Sequence, residues 1–403
     1  ADALLRSSYA YDKEKSGLLG DKPNKLHIDF AVANPKCKEK SFAPRKITTL
    51  ASHWAANLAT KPSNRLTPGV YAAKIERVLK PLDINITIIS EKSNDIIFGR
   101  MGGLRAVGRA SMNGYEEDRK PHAVVMEYDG TGGADVKPVV LIGKGVTFDS
   151  GGISLKPGAN MGDMKMDMHG SATVVATMRA LAAMKAPVKV RAVVGLVENM
   201  PGATATKPGD VIKHFNGMTS EIDNTDAEGR LVLFDCMALA QERWGADNVA
   251  AMVDLATLTG AIVGALNKER AGMFSNDDNM AAQLHAVGEK TENRVWRMPL
   301  DDRYYKAVEA GIADLKNSGV KGPGSSTAAE YLHHAIAKKE DGKTDKFPWT
   351  HLDIAGVAYG DDKIGTGYGV HLLTNWIVDN YSTAAPKACA KHACKEGGCH
   401  PKP

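Results

Sequence analysis

Short apolar, β-branched runs alternate with helical patterns through most of the chain, and that alternation restricts the architecture more than any other property. Ile84–Ile89, His122–Tyr128, Pro138–Ile142, Val188–Val197, Val249–Leu255 and Trp349–Ile354 read as strands. Between and around them, Phe42–Leu58, Pro68–Leu79, Gly170–Lys185, Glu228–Arg243, Thr327–Ala337 and Val370–Val378 suit helices. Thr67-Pro68 looks like a cap followed by a first-turn proline. The order predicts an α/β fold with a central mixed, mostly parallel β-sheet sandwiched by helices. Chemistry in such sheets sits just past the carboxyl ends of strands, here in the turns after Ile142, Val197 and Leu255.

The 403 residues suffice for one large α/β unit or two ordinary domains. Lys plus Arg is 51 and Asp plus Glu is 47, a balance that gives no electrostatic case for nucleic acid or an anionic membrane. No apolar run approaches the roughly 18 residues of a membrane span. Cys37 and Cys236 stand alone in the body, while Cys389, Cys394 and Cys399 crowd the end, so the core is expected to fold without disulfide staples. Three parts are predicted: residues 1–36 as a connecting segment, 37–385 as the catalytic unit, and 386–403 as a Cys-rich tail of low complexity.

Three glycine-rich or acidic segments carry the chemistry. Gly143-Lys144-Gly145-Val146-Thr147-Phe148-Asp149-Ser150-Gly151-Gly152 follows an apolar strand, but its spacing is not that of a P-loop. Asp163 and Asp167 lie four apart before a helix. Asp223-Asn224-Thr225-Asp226-Ala227-Glu228-Gly229-Arg230 places three carboxylates before another helix. In an extended segment, Asp226 and Glu228 would point the same way. Taken singly, each acidic run also fits carboxylates at a helix start. Together, Asp149, Asp167, Asp226 and Glu228 supply four negative charges, matching two divalent cations. A two-metal site lowers the pKa of a bound water and clamps a hydrolytic transition state. Lys144, Lys156 and Arg230 would serve the same site, Lys144 as a ligand only if its amine is neutral.

These segments closely resemble the leucyl aminopeptidase family of dinuclear metallo-exopeptidases. Its Asn-Thr-Asp-Ala-Glu-Gly-Arg-Leu signature stands intact at Asn224–Leu231, and its Gly-Lys-Gly-x-Thr-Phe-Asp-Ser-Gly-Gly run at Gly143–Gly152. The likeness extends from about Leu4 to Asn380. It implies a metalloaminopeptidase that trims Leu, Met and other apolar amino-terminal residues from short peptides. It further implies that Lys144, Asp149, Asp167, Asp226 and Glu228 hold two divalent metal ions, Zn or Mn, with Mg and Co as alternatives. Lys156 would stabilise the oxyanion, and Arg230 would hold a bicarbonate that relays a proton. Leu258 and Gly260 would align the substrate chain through backbone groups, and Met164, Thr257, Ala355 and Ala358 would line the first side-chain pocket. The family assembles as a homo-hexamer, a dimer of trimers. Its habit, with the sparse body cysteines, points to the cytoplasm, with processing or secretion as the alternative.

The sequence departs from the family pattern at three places. Only the end of the usual amino-terminal domain and its connecting helix are expected, near Asp2–Lys15. Gly367-Tyr368-Gly369-Val370 replaces a Gly-Arg-Pro before the last helix, and the cysteine tail with His392 and His400 has no counterpart. Two other functions fit the same residues: a catalytically silent family member, or a Cys-Gly dipeptidase. All seven polar site residues, Lys144 to Arg230, are present, which favours an active enzyme.

Overall fold

The computed structural model describes Tyr11 and residues 35–112, 116–319 and 322–383. The expected amino-terminal segment lies outside the described residues except for Tyr11, Pro35 and Lys36, and so does the cysteine tail.

Eight strands form the main sheet: β1 (Asn85–Ile89), β2 (His122–Asp129), β3 (Val139–Asp149), β4 (Lys189–Asn199), β7 (Ala251–Ala256), β8 (Ala271–Ser275), β9 (Val295–Arg297) and β11 (Trp349–Asp353). Their spatial order is β1-β2-β4-β3-β7-β11-β8-β9. The four central strands β4, β3, β7 and β11 run parallel, while β2 and β8 flank them antiparallel. A small second sheet joins β5 (Val211–Lys213), β6 (Thr219–Glu221) and β10 (Leu315–Lys316).

Alternation along the strands feeds two cores. Val139, Leu141, Val190, Ala192, Val194, Val253 and Leu255 face one layer, with the helices Pro35–Thr60, Pro68–Leu79, His169–Ala183 and Val370–Tyr381 packed over them. Val140, Ile142, Val193, Val197, Met252 and Ala256 face the other, under the helices Gly229–Trp244 and Gly324–His333. Both faces of the sheet are therefore covered, which is why the central strands read as continuous apolar runs. From β3 the chain crosses to β4 on one side, and from β4 it returns past β3 to β7. That reversal opens a crevice at the carboxyl ends of the strands.

The expectation that the third strand stops at Gly143 is corrected. β3 continues to Asp149, because Gly143, Lys144, Gly145 and Val146 pair with Val194, Gly195, Leu196 and Val197 of β4. Pairing with β7 ends at Gly143↔Leu255. Beyond that point β3 has a neighbour on one side only, and the crevice begins there. Glycine is needed at 143 because an added Cβ would lie 2.6 Å from the backbone of Ser171.

Candidate metal centre

The overhanging end of β3 delivers Lys144 and Asp149 to the crevice. Lys156 follows in the next loop, and Asp167 comes directly after the 3-10 helix Met161–Met166. Asp226 and Glu228 precede the helix Gly229–Trp244. Thr257, Leu258 and Gly260 follow β7, and Ala355 follows β11. Ligand oxygens of Asp149, Asp226 and Glu228 all lie within 4.8 Å of one another. The mutual orientation of Asp226 and Glu228 does not come from an extended segment, as expected from their spacing. Glu228 has helical backbone angles (φ −82°, ψ −36°), and a turn brings the two carboxylates together.

Two lysines are threaded between the acids. Lys144 Nζ donates to Asp167 Oδ1 at 2.7 Å and to the Thr257 carbonyl at 3.0 Å, and lies 2.7 Å from Glu228 Oε1. Lys156 Nζ lies 2.8 Å from Asp149 Oδ2 and also pairs with Asp226. Four carboxylates against two ammonium groups leave two negative charges uncompensated in a largely buried cluster. Burial pushes the Asp149 carboxyl up to about 6, with the Glu228 charge adding to it. Asp167 is raised well above the carboxylate range and Asp226 is also raised, both chiefly by burial. Burial acts upward on Glu228 too, but Lys144 and Lys156 outweigh it and lower its pKa. On Lys144 burial acts downward and is outweighed by Asp167, Glu228 and Asp149, so with carboxylates alone around it this amine is held protonated. Two cations at the same oxygens would act in the opposite direction.

The donor set fits divalent cations on two observations. Asp167 Oδ2 is buried with no hydrogen-bond partner, and the charge left over by the two lysines is negative, the sign that divalent cations would cancel.

Several residues the motifs did not single out hold this arrangement. Asn199, at the end of β4, donates from Nδ2 to Asp149 Oδ1 at 2.8 Å and to the Thr225 carbonyl at 3.0 Å. Buried Asn317 clamps the acidic loop, accepting from the Asp223 and Asn224 amides at 2.8 and 3.2 Å and donating to the Asn224 carbonyl at 2.7 Å. Buried Asp353, at the end of β11, accepts from the amides of Leu258 (3.1 Å), Thr259 (3.4 Å) and Ala355 (3.2 Å) and from Thr259 Oγ1 (2.6 Å). Asn199 and Asp353 end parallel strands beside the crevice, a position that could have marked them. Asn317 follows two-residue β10 and carries no such signal.

The cluster floors a cavity of about 320 Å³ that is also lined by Asp163, Met164, Met166, Thr257, Leu258, Gly260, Val263, Ala355 and Tyr359. Ala358 is wholly buried, and its neighbour Tyr359 is the residue that lines the cavity. Arg230 is buried, its guanidinium 6.0 Å over the Tyr331 ring and its Nε without a hydrogen-bond partner. Behind Tyr331 lies a second polar chain. His214 Nδ1 meets Asp235 Oδ1 at 2.9 Å, and its Nε2 meets both Ser220 Oγ and Tyr331 OH at 2.9 Å. The connectivity is that of a nucleophile triad, but all four side chains are buried, so no substrate reaches the serine.

Fold and cleft together define an α/β enzyme with an acidic, cation-seeking centre. The description "Cytosol aminopeptidase family, catalytic domain" matches residues 53–374. The chain belongs to the cytosol aminopeptidase family, a family of peptidases. It is 43% identical over 386 residues to the cytosol aminopeptidase of Rickettsia prowazekii (strain Madrid E), covering 94% of this chain and 73% of that protein. It is 40% identical over 386 residues to the probable cytosol aminopeptidase of Chelativorans sp. (strain BNC1), covering 94% and 74%. Among solved structures, the bottromycin maturation enzyme BotP superposes with a TM-score of 0.80 at 32% identity, covering 94% of this chain and 77% of BotP. Its complex with Mn gives 0.81, also at 32% identity, with 94% and 78% covered. Among the described residues no helix is long and apolar enough to cross a membrane.

Proposed function

We propose that this protein is a two-metal aminopeptidase that removes Leu, Met and other apolar residues from the amino termini of short peptides. The observation that carries the reading is the convergence of Asp149, Asp226 and Glu228 from distant segments within 4.8 Å, beside the unpartnered Asp167 Oδ2. Lys144, Asp149, Asp167, Asp226 and Glu228 would hold two divalent ions, Zn or Mn. When bound, such a pair supplies Lewis acidity and a water of lowered pKa.

The chain's own groups do the rest. Lys156 reaches the cluster from its rim and stabilises negative charge developing on the scissile carbonyl oxygen. Arg230, with its buried Nε open, suits a small anion such as bicarbonate, which would pass on a proton. Backbone groups of Leu258 and Gly260 align the peptide, on a loop that Asp353 fixes. Met164, Thr257 and Ala355, with Met166, Val263 and Tyr359, give the cavity the apolar wall that an aliphatic first residue needs. Assembly as a homo-hexamer and a cytoplasmic location belong to the reading on family membership alone.

The test compares leucine-p-nitroanilide with Cys-Gly as substrates of protein loaded with Mn or Zn. Faster turnover of the leucine substrate is expected. Hydrolysis of neither would overturn the reading, and preference for Cys-Gly would make the protein a dipeptidase instead. Glu228→Ala should lower the bound metal measured by elemental analysis, and an unchanged metal content would remove Glu228 from the ligand set.

A further inference from the structure

The cavity wall carries an acid that neither the metal cluster nor the apolar pocket explains. Asp163 lines the same cavity as Met164 and Thr257. Its Oδ2 lies 2.9 Å from Lys363 Nζ, with the Asp163 side chain 15% exposed and Lys363 55% exposed. Lys363 Nζ also donates to Asn160 Oδ1 at 3.4 Å. The two residues come from segments distant in sequence: Asp163 from the 3-10 helix ahead of Asp167, Lys363 from the loop after β11.

That second loop is fastened. Tyr359 opens it and lines the cavity. Lys268 lies 5.3 Å over the Tyr359 ring and bonds Asp361 Oδ1 at 2.6 Å. The loop closes on itself through the Gly360 amide to the Ile364 carbonyl at 2.9 Å and the Ile364 amide to Asp362 Oδ1 at 3.0 Å. Lys363 and its partner Asn160 both hold left-handed backbone, φ 60° and 64°, a conformation that asparagine tolerates but that surrounding structure must enforce in a lysine. Lys363 is thus presented to Asp163 by a constrained loop rather than by a free surface side chain.

We propose that Asp163 and Lys363 form a charge-setting pair for the first side-chain pocket. Paired, they give the wall no net charge, and apolar residues fit. With Lys363 neutralised, Asp163 faces the cavity as an uncompensated carboxylate and draws in substrates whose first residue is Lys or Arg. The inference rests on the aminopeptidase reading and on this cavity receiving the first side chain.

The experiment measures kcat/KM for arginine- and leucine-p-nitroanilide with metal-loaded parent, Lys363→Ala, Lys363→Gln, Asp163→Asn and the double variant Asp163→Asn/Lys363→Gln. Both Lys363 variants should raise the arginine-to-leucine ratio about fivefold, the upper range for a partly exposed charge pair. Molar salt should shrink that gain, and Asp163→Asn in the same chain should cancel it. A ratio that stays at the parent value in both Lys363 variants, or that rises equally without Asp163, overturns the inference alone. A parent silent on both substrates overturns it together with the aminopeptidase reading. The glutamine variant keeps most of the side chain and a polar end, so a folding defect confined to the alanine variant does not decide the outcome.

Discussion

Asp353→Ala should damage the protein twice over, because this carboxylate fastens the loop proposed to align the substrate. Three of its bonds are well within range: Leu258 amide at 3.1 Å, Ala355 amide at 3.2 Å and Thr259 Oγ1 at 2.6 Å. The fourth, from the Thr259 amide, is long at 3.4 Å and counts for little. Hydrogen bonds to a charged acceptor contribute about 1.5–3 kcal/mol each. Burial of the carboxylate works against them, raising its pKa despite nearby His351, so the net loss is smaller than three such bonds. Breaking a buried charged network typically costs about 3–5 kcal/mol, and that is the expected destabilisation. Thr259 Oγ1 also accepts from the Ile262 amide at 3.2 Å, so the start of the helix Gly260–Leu266 loosens with it. A displacement of about 1 Å in a substrate-positioning loop costs roughly a hundredfold in rate. Asp353→Asn keeps an acceptor for the amides, and the Thr259 hydroxyl can turn to accept from the new amide group. It should lose only about 1–2 kcal/mol and stay within about tenfold of parent kcat/KM. Urea unfolding of the metal-loaded protein and leucine-p-nitroanilide hydrolysis read both effects. An alanine variant within about 1 kcal/mol of parent, with unchanged KM, would refute the reasoning.

Lys156→Ala should retain bound metal by elemental analysis yet lose roughly a hundred- to a thousandfold in kcat, and parent-like turnover would end its oxyanion role. At His333 burial acts downward, but Asp345 at 2.8 Å and Glu330 outweigh it and hold the pKa near about 9. A folded value above the ordinary 6.5 means that the stabilisation is complete below pH 6.5 and drains as pH rises through about 9. It amounts to roughly 3 kcal/mol, so the stability of parent relative to His333→Gln should fall by that much between pH 6 and about 10, and a flat difference would contradict the pairing.

The long buried elements were legible because periodicity and boundary residues agreed. The helix Pro68–Leu79 begins where Thr67-Pro68 says it should, although Thr67 Oγ1 donates to Asp118 Oδ2 at 2.8 Å instead of capping. The ends of β3 misled because glycine reads as a break. Here Gly143 and Gly145 extend a strand that needs close backbone approach. β5, β6 and β10 are three, three and two residues long, and tertiary pairing rather than local pattern makes them strands. Of the candidate site, the charged groups were legible because four acids and two lysines of that spacing have few other uses. Asn199 and Asp353 offered only their place at the ends of parallel strands, and Asn317 offered nothing, since most of their partners are distant in sequence and such bonds leave no spacing to read.

The glycine lining around Lys144 has a consequence for how the protein can change. A methyl group at Gly229 would sit 2.5 Å from Lys144 Cε, and one at Gly143 would strike the main chain of Ser171. Main chain pressed against main chain at Gly143 fixes the strand that carries the amine, and the bare face of Gly229 leaves room for the lysine chain itself. Laboratory diversification should find this inner collar closed to enlargement. At the outer rim, Tyr359 lines the cavity with its side chain and Lys363 is partly exposed. New substrate preferences are accordingly to be sought at the rim, leaving the reactive centre untouched.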